Sequence, residues 1–507
     1  MKIDFLSKII SSYLAPAAQL LSSGHGLPSE LAPVKSVAII GAGAAGASTA
    51  YYLEQYLHEP YIPKHLQYNH AITIYELNER IGGRCAVYRV PGQTDKVVEA
   101  GASIFVKVNL NLMDAAKAFD LKLRKLDDED LAIWDGQRFV YQDHPSRLWN
   151  IARALWRWGY APFKVRGVVN KAVNNLLASY KTTEPFESVQ AFASRFKLDK
   201  LVSVHSDRLL KDHGVHDSFS REIFEVASRV NYGSNLDEIH GLGGLVSMAA
   251  DGAYQVVGGN FQIFEGMIAN SHASVKLGTK IARITRFKEG GETKFEVTTT
   301  TGSKQTFDAI VLAAPLHLLG IDLSSLDLPP QPHVDYRTIH ATFVKGRVNP
   351  SYFNWTSNAK LPTHILTVNS NTTEFTSLSV QTTLDTGETV TKLFSHAPIE
   401  DELLNRLYTT RTWVRRKAWQ AYPKLKPMPT TADDLAALTP EEKQEVKEEQ
   451  RSREAWGQVE VVPGVFYVNS FEPLISTMET ETLAGKNTAR LIRNRFLGYC
   501  PVPILQK

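Results

Sequence analysis

Glycines 41, 43 and 46 follow the apolar run from Ser36 to Ile40, and that spacing predicts a strand, a tight turn and a helix whose free N–H groups face a phosphate. Gly41 permits the turn, Gly43 lets the backbone approach a pyrophosphate, and Gly46 lets helix and strand pack closely, with Ala44 and Ala45 opening the helix. A second strand over residues 71–75 ends at Glu76, where a carboxylate can accept from a ribose hydroxyl. The interval from Gly46 to Glu76 exceeds the usual ~20 residues. The excess lies in the Pro- and His-containing connection from 59 to 70. Gly82, Gly83 and Arg84 follow and bring a guanidinium toward cofactor phosphates and ribose. The three features in register point to FAD rather than a bare nicotinamide site.

The elements that must hold these groups are interleaved along the chain. Residues 36–104, 256–316 and 457–497 are expected to form one discontinuous FAD-binding domain. The strand and small-residue turn over 97–103 is a candidate neighbour of the isoalloxazine ring. Residues 105–255 read as a helical substrate cap, with helix-compatible spacing over 112–119, 146–158, 167–177, 188–196, 202–210 and 221–230. Gly258 and Gly259 turn through Asn260 into a further helix, and 274–284 with 294–300 reads as a β-meander. The apolar run 307–314 returns to the core, and 317–427 alternates as an antiparallel-sheet substrate domain. Residues 428–456 carry many charges and few apolar groups, as an exposed insertion does.

Length and composition bound the remaining possibilities. A chain of 507 residues exceeds what one core usually holds. With 43% hydrophobic and 21% charged residues it has an ordinary globular composition. A formal net charge of +3 gives no basis for nucleic-acid binding. Cys85 and Cys500, the two cysteines, cannot by themselves write a zinc or Cys-x-x-Cys site. Apolar clusters before residue 27 read as a targeting segment over 1–30, although Asp4 and Lys8 interrupt the usual charge pattern. Sequons at Asn354 and Asn371 suit a lysosomal, vacuolar or secretory location, with the cytoplasm as the alternative.

The motifs resemble those of the prenylcysteine oxidase, or prenylcysteine lyase, family. Besides the glycine turn, Glu76 and Arg84, they include residues 99–101, 229–233, 257–260, 342–346, 419–423 with 426–427, 466–472 and 476–479. The resemblance runs from Val37 to Arg495. It departs at the 59–70 connection, at the charged insertion, and at Ser470, Phe471, Pro473 and Leu474. It implies an α/β fold in which a Rossmann-type FAD-binding domain is interleaved with a substrate domain of mixed sheet and helical cap, as in the amine-oxidase-like flavoproteins. It also implies noncovalent FAD, O₂ and a prenylcysteine-type substrate. Such a reaction asks more of cofactor orientation than of a protein base.

Glu472, just before a helix start, is the candidate for a cofactor-binding and catalytic role. Gly41, Gly43, Ala44, Ala45, Gly46, Glu76, Gly83, Arg84 and Ile281 are the other cofactor candidates, the last through its resemblance to an adenine-contacting position. Arg229 and Tyr232 are substrate candidates, with packing as the alternative, and no metal ligands are assigned. An amine or prenylated natural product, or a scaffold without turnover, remain alternative readings. From His144 to Thr183 no acidic residue occurs, while Arg and Lys alternate with Trp, Leu, Tyr and Phe. That pattern fits either a peripheral membrane contact through 144–183 or a cap helix with a solvated basic face.

Overall fold

The computed structural model describes residues 35–498 apart from 61, 63, 65–69, 94–95, 127–129, 145, 250–251, 357–359, 429–439, 441–442 and 444–456. The 1–30 segment, Cys500, and most of the 59–70 connection and the 428–456 insertion lie outside these residues.

The nucleotide-binding layer is a six-stranded sheet ordered Ser274–Lys276, His70–Tyr75, Lys35–Ile40, Ala309–Leu312, Val465–Tyr467 and Glu460–Val462. Its first five strands are parallel and the last is an antiparallel edge. Central strands buried on both faces must be apolar throughout, and Ala309–Leu312 is buried at every position. Helices Ala44–Leu57 and Met478–Phe496 pack against each other, which brings the chain's last helix to its first turn.

The layer expected to be the substrate domain is a seven-stranded sheet ordered Tyr408–Pro423, Tyr336–Val348, Thr389–Ser395, Ser377–Thr383, His364–Thr367, Leu131–Trp134 and Phe139–Gln142. Its last two strands come from the stretch read as a helical cap. Leu131–Trp134 is an apolar four-residue run that pairs in parallel with His364–Thr367, Ile133 opposite Leu366. A partner more than two hundred residues away leaves no periodic trace in so short a run.

Two further expectations change in the same way. The stretch 202–210 forms two short helices, Asp199–Val202 and Ser206–Asp212, because Ser206 donates its N–H to Ile239 at 2.9 Å and His205 bridges His240. The meander over 274–284 is split at Gly278, at φ +58°. Ser274–Lys276 joins the nucleotide sheet, and Ile281–Glu289 starts a separate three-stranded antiparallel sheet. Among the described residues no helix is long and apolar enough to cross a membrane.

Candidate active site

The glycine turn is built by close approaches that side chains would block. Gly41 has φ +115°, and a Cβ there would lie 2.7 Å from the Ala313 carbonyl oxygen; one on Gly46 would lie 1.9 Å from the Gly41 oxygen. Gly43 caps helix Ala44–Leu57 without a side-chain hydrogen bond or an acid in the first turn. The first N–H returning to a carbonyl is that of Ala47, to Gly43 at 2.9 Å. Among the described residues, the N–H groups of Gly43, Ala44, Ala45 and Gly46 therefore have no protein acceptor. Four converging donors at a helix N-terminus favour an anion.

Glu76 is buried beside this turn and accepts from the Ala42 N–H and from the Asn78 N–H, both at 2.9 Å. Its carbonyl oxygen accepts from Thr279 at 2.8 Å, which sets buried Ile281 just beyond the same strand end. Gly82 donates to the Ala42 carbonyl at 2.9 Å, so Gly83 lies across from Gly43, and Arg84 follows directly.

Arg84 donates to the Ala421 carbonyl at 2.9 Å and to Glu472. Glu472 also accepts from the Tyr336 hydroxyl and, at 2.9 Å, from the Asn469 side-chain amide. The Glu472 side chain is 0% exposed and that of Arg84 32%, so the pair has one dry end and one open end. Asn469 donates to Glu481 as well, at 3.0 Å. Burial and the Glu472 charge raise the Glu481 carboxyl well above its usual range. Asn469 Oδ1 and Glu481 Oε1 are left buried without partners.

Sequence reasoning missed a second polar group. Lys392 lies in strand Thr389–Ser395, buried, with Nζ 2.6 Å from Ser103 Oγ and 3.4 Å from the Gly101 carbonyl. Its neighbour Glu99 accepts the Asn260 N–H at 2.6 Å, while Glu99 Oε2 has no partner. Burial pushes Glu99 up and Lys392 down, toward their neutral forms. Gly101 is pressed between Arg84 and Trp419: a Cβ there would fall 1.9 Å from the Arg84 carbonyl oxygen and 2.0 Å from the indole. Trp419 Nε1 is buried and unpartnered. A lysine in a strand of otherwise ordinary alternation carries no local sign of burial, so nothing in its neighbourhood would have singled it out.

Arg229 and Tyr232 lie elsewhere. Arg229 donates to Asn235 Oδ1 at 2.9 Å and Asn369 Oδ1 at 3.1 Å, and burial lowers its pKa. The Tyr232 ring meets Tyr422 edge-on at 5.4 Å, and its buried hydroxyl has no partner. Tyr232 thus meets the end of strand Tyr408–Pro423 one residue beyond the Ala421 carbonyl that holds Arg84, whereas Arg229 is tied to Asn235 and Asn369. The structure thus joins Tyr232, but not Arg229, to the Arg84 group through that strand.

Other buried or clustered polar groups have structural partners. His240 accepts the Gly243 N–H at 3.0 Å as a helix cap, and its Nε2 lies 3.3 Å from the Pro473 oxygen. His317 pairs with Gln420. Cys85 is buried 3.1 Å from Met478 Sδ, and burial raises its thiol pKa. Glu54, gathered with His58 and His70, lies between His70 at 2.7 Å and His272 at 2.8 Å, as an ordinary hydrogen-bonded carboxylate does.

A parallel nucleotide sheet with an open N–H cradle, interleaved with a mixed seven-stranded sheet, defines the fold of the amine-oxidase-like flavoproteins. Solved structures agree in fold: a putrescine oxidase triple mutant has a TM-score of 0.60 at 13% identity, covering 91% of this chain and all of that one. A cyclohexylamine oxidase from Brevibacterium oxydans has a TM-score of 0.56 at 14% identity, covering 92% of this chain and 100% of its own. The model for prenylcysteine lyase matches residues 141–436 and 448–501, and that for an NAD(P)-binding Rossmann-like domain matches 39–119. The chain belongs to the prenylcysteine lyase family. It is 29% identical to the farnesylcysteine lyase of Arabidopsis thaliana, over 91% of this chain and 89% of that protein. With human prenylcysteine oxidase 1 it shares 26% identity over 97% of this chain and 96% of that protein.

Proposed function

We propose that this chain is an FAD-dependent oxidase that converts prenylcysteine, O₂ and water to a prenyl aldehyde, free cysteine and hydrogen peroxide. The observation that carries the cofactor half is the row of four acceptor-less N–H groups at residues 43–46, which fits a pyrophosphate. Glu76, buried beside the turn, supports the reading of a ribose at that strand end, and the Arg84 side chain, about a third exposed, supplies positive charge. The unpartnered oxygens of Asn469 and Glu481 match a polar ligand with hydroxyls of its own. Bound FAD would supply a hydride acceptor for the carbon between sulfur and alkene and a route for two electrons to O₂.

The protein's share is positional. Glu472 holds Arg84 by neutralising it at its dry end, so Glu472 is a positioning residue rather than a base. Gly101 and Trp419 form a close-packed wall, and Lys392 ties that wall to the substrate sheet. A cation shared by sulfur and alkene takes up water without a strong base, and the resulting hemithioacetal collapses to aldehyde and thiol. FAD is held noncovalently in this reading, since Cys85 faces Met478 in the core.

A prenylated amino acid partitions into lipid, so the reading includes contact with a membrane surface through 144–183. A lysosomal, vacuolar or secretory location is consistent with it, and Asn371 of the second sequon is exposed. Aerobic incubation with farnesylcysteine, geranylgeranylcysteine and simple amines, followed by product mass and peroxide assay, tests the proposal. Aldehyde, cysteine and peroxide from the thioethers alone are expected. Turnover of the amines alone would overturn it.

A further inference from the structure

Helices Arg147–Trp158 and Ala161–Ala178 turn the wrong face outward for a soluble protein. Trp156 is 88% exposed, Leu148 79% and Tyr160 76%, and Trp149 and Phe163 are more than half exposed. Ile151 and Leu155 extend the patch, so seven of the thirteen large exposed apolar side chains among the described residues fall within 148–163. Isolated exposed apolar groups need no explanation, but a contiguous patch marks an interaction surface.

The basic side chains of the first helix that the structure describes are engaged with neighbouring elements, Arg157 while exposed and Arg153 half-buried. Arg157 forms a two-pronged pair with Glu222 at 2.7 and 2.8 Å, and Arg153 donates to the Gln142 carbonyl at 3.2 Å. The exposed Arg157 is thus paired with an acid rather than left as a lone charge on this helix. Its outward arc runs through Leu148, Ala152, Leu155 and Trp156, spaced as one helical face. Beyond Phe163, Arg166 and Lys171 are exposed on the second helix, and no acid occurs between His144 and Thr183.

We propose that 148–163 inserts shallowly into an anionic lipid leaflet, with Trp149, Trp156 and Tyr160 at headgroup depth and the following basic residues on lipid phosphates. Tryptophan and tyrosine prefer that interface, and the acid-free run supplies the charge complementarity. The purpose of this contact, collecting an amphiphilic substrate, rests on the prenyl-thioether reading. The second helix spans about 27 Å at 1.5 Å per residue and leads to Tyr180, whose hydroxyl donates to Glu479 on the C-terminal helix. The patch is thus joined to the cofactor domain by one rigid element.

Flotation of the flavin-loaded full chain with vesicles tests the assignment. Binding is expected to phosphatidylcholine vesicles containing phosphatidylserine and to fall steeply in high salt, with tryptophan emission quenched by brominated lipid. The double variant Trp149→Ser, Trp156→Ser should lose at least about tenfold in vesicle affinity, and Arg166→Glu with Lys171→Glu should lose the preference for phosphatidylserine. Oxidation of dispersed farnesylcysteine should stay within about twofold in both variants. Absence of binding to anionic vesicles at low salt would overturn the proposal, as would a dimer in sedimentation that the tryptophan variant dissolves. Vesicle binding without prenylcysteine turnover would instead overturn only the functional reading.

Discussion

In the proposed reading Glu472, a candidate for a cofactor-binding and catalytic role, supports Arg84. The carboxylate takes three donors and sees no solvent, so its charge is committed to the guanidinium. Glu472→Gln keeps the shape but leaves Arg84 without a full counter-charge. The expected loss is about 1–3 kcal/mol of stability, read as a lower Tm together with weaker flavin retention. An unchanged Tm and flavin content with slowed turnover would return Glu472 to the chemistry. Gly43 makes the opposite case, since its value lies in what it lacks. A Cβ there would already touch Gly83 at 3.7 Å, and the branches of Gly43→Val would project into the space a pyrophosphate needs. Flavin per protein, measured by absorbance after denaturation, is expected to fall at least about tenfold. Full flavin occupancy in the variant would argue against the cradle.

At the scale of elements, what could be read from the chain was local. Strand, glycine turn and helix share one contiguous run, so period and turn chemistry sufficed, and Ser146 and Ser188 cap their helices where the spacing placed the starts. What could not be read depends on distant partners. The strand Leu131–Trp134 finds its place only beside His364–Thr367. Glu479 accepts the Asn111 and Leu112 N–H groups at 2.9 and 3.0 Å, capping a helix 367 positions away. Lys392 reaches Ser103 across 289 residues, and no pattern within its strand could have announced that.

His240 gives the element scale its pH dependence. Burial lowers its pKa to about 4 from an ordinary 6.5, and as a helix cap it must be neutral to accept from Gly243. The unfolded chain takes a proton near 6.5 that the fold refuses until about 4. Its contribution is therefore complete above 6.5 and is lost as pH falls through that window, on the order of 3 kcal/mol. His240→Asn, which retains a capping oxygen, should flatten urea-derived stability between pH 6.5 and 4. An identical slope in both proteins would contradict this.

For the whole molecule, the segment after strand Val97–Glu99 meets the seven-stranded sheet along a seam of small and aromatic groups. Residues 99–103 of the nucleotide unit touch Lys392 and Trp419 of the substrate sheet, while Arg84 reaches the Ala421 carbonyl from the same side. In the proposed reading this seam is where a cofactor held by the cradle would meet the thioether. The most direct test is to mix the purified yellow protein anaerobically with farnesylcysteine and follow flavin absorbance while quantifying products. The account predicts bleaching with one equivalent each of farnesal and cysteine per flavin, slowed by deuterium at the thioether carbon, and peroxide when air is admitted. Bleaching by simple amines but not by farnesylcysteine would contradict it.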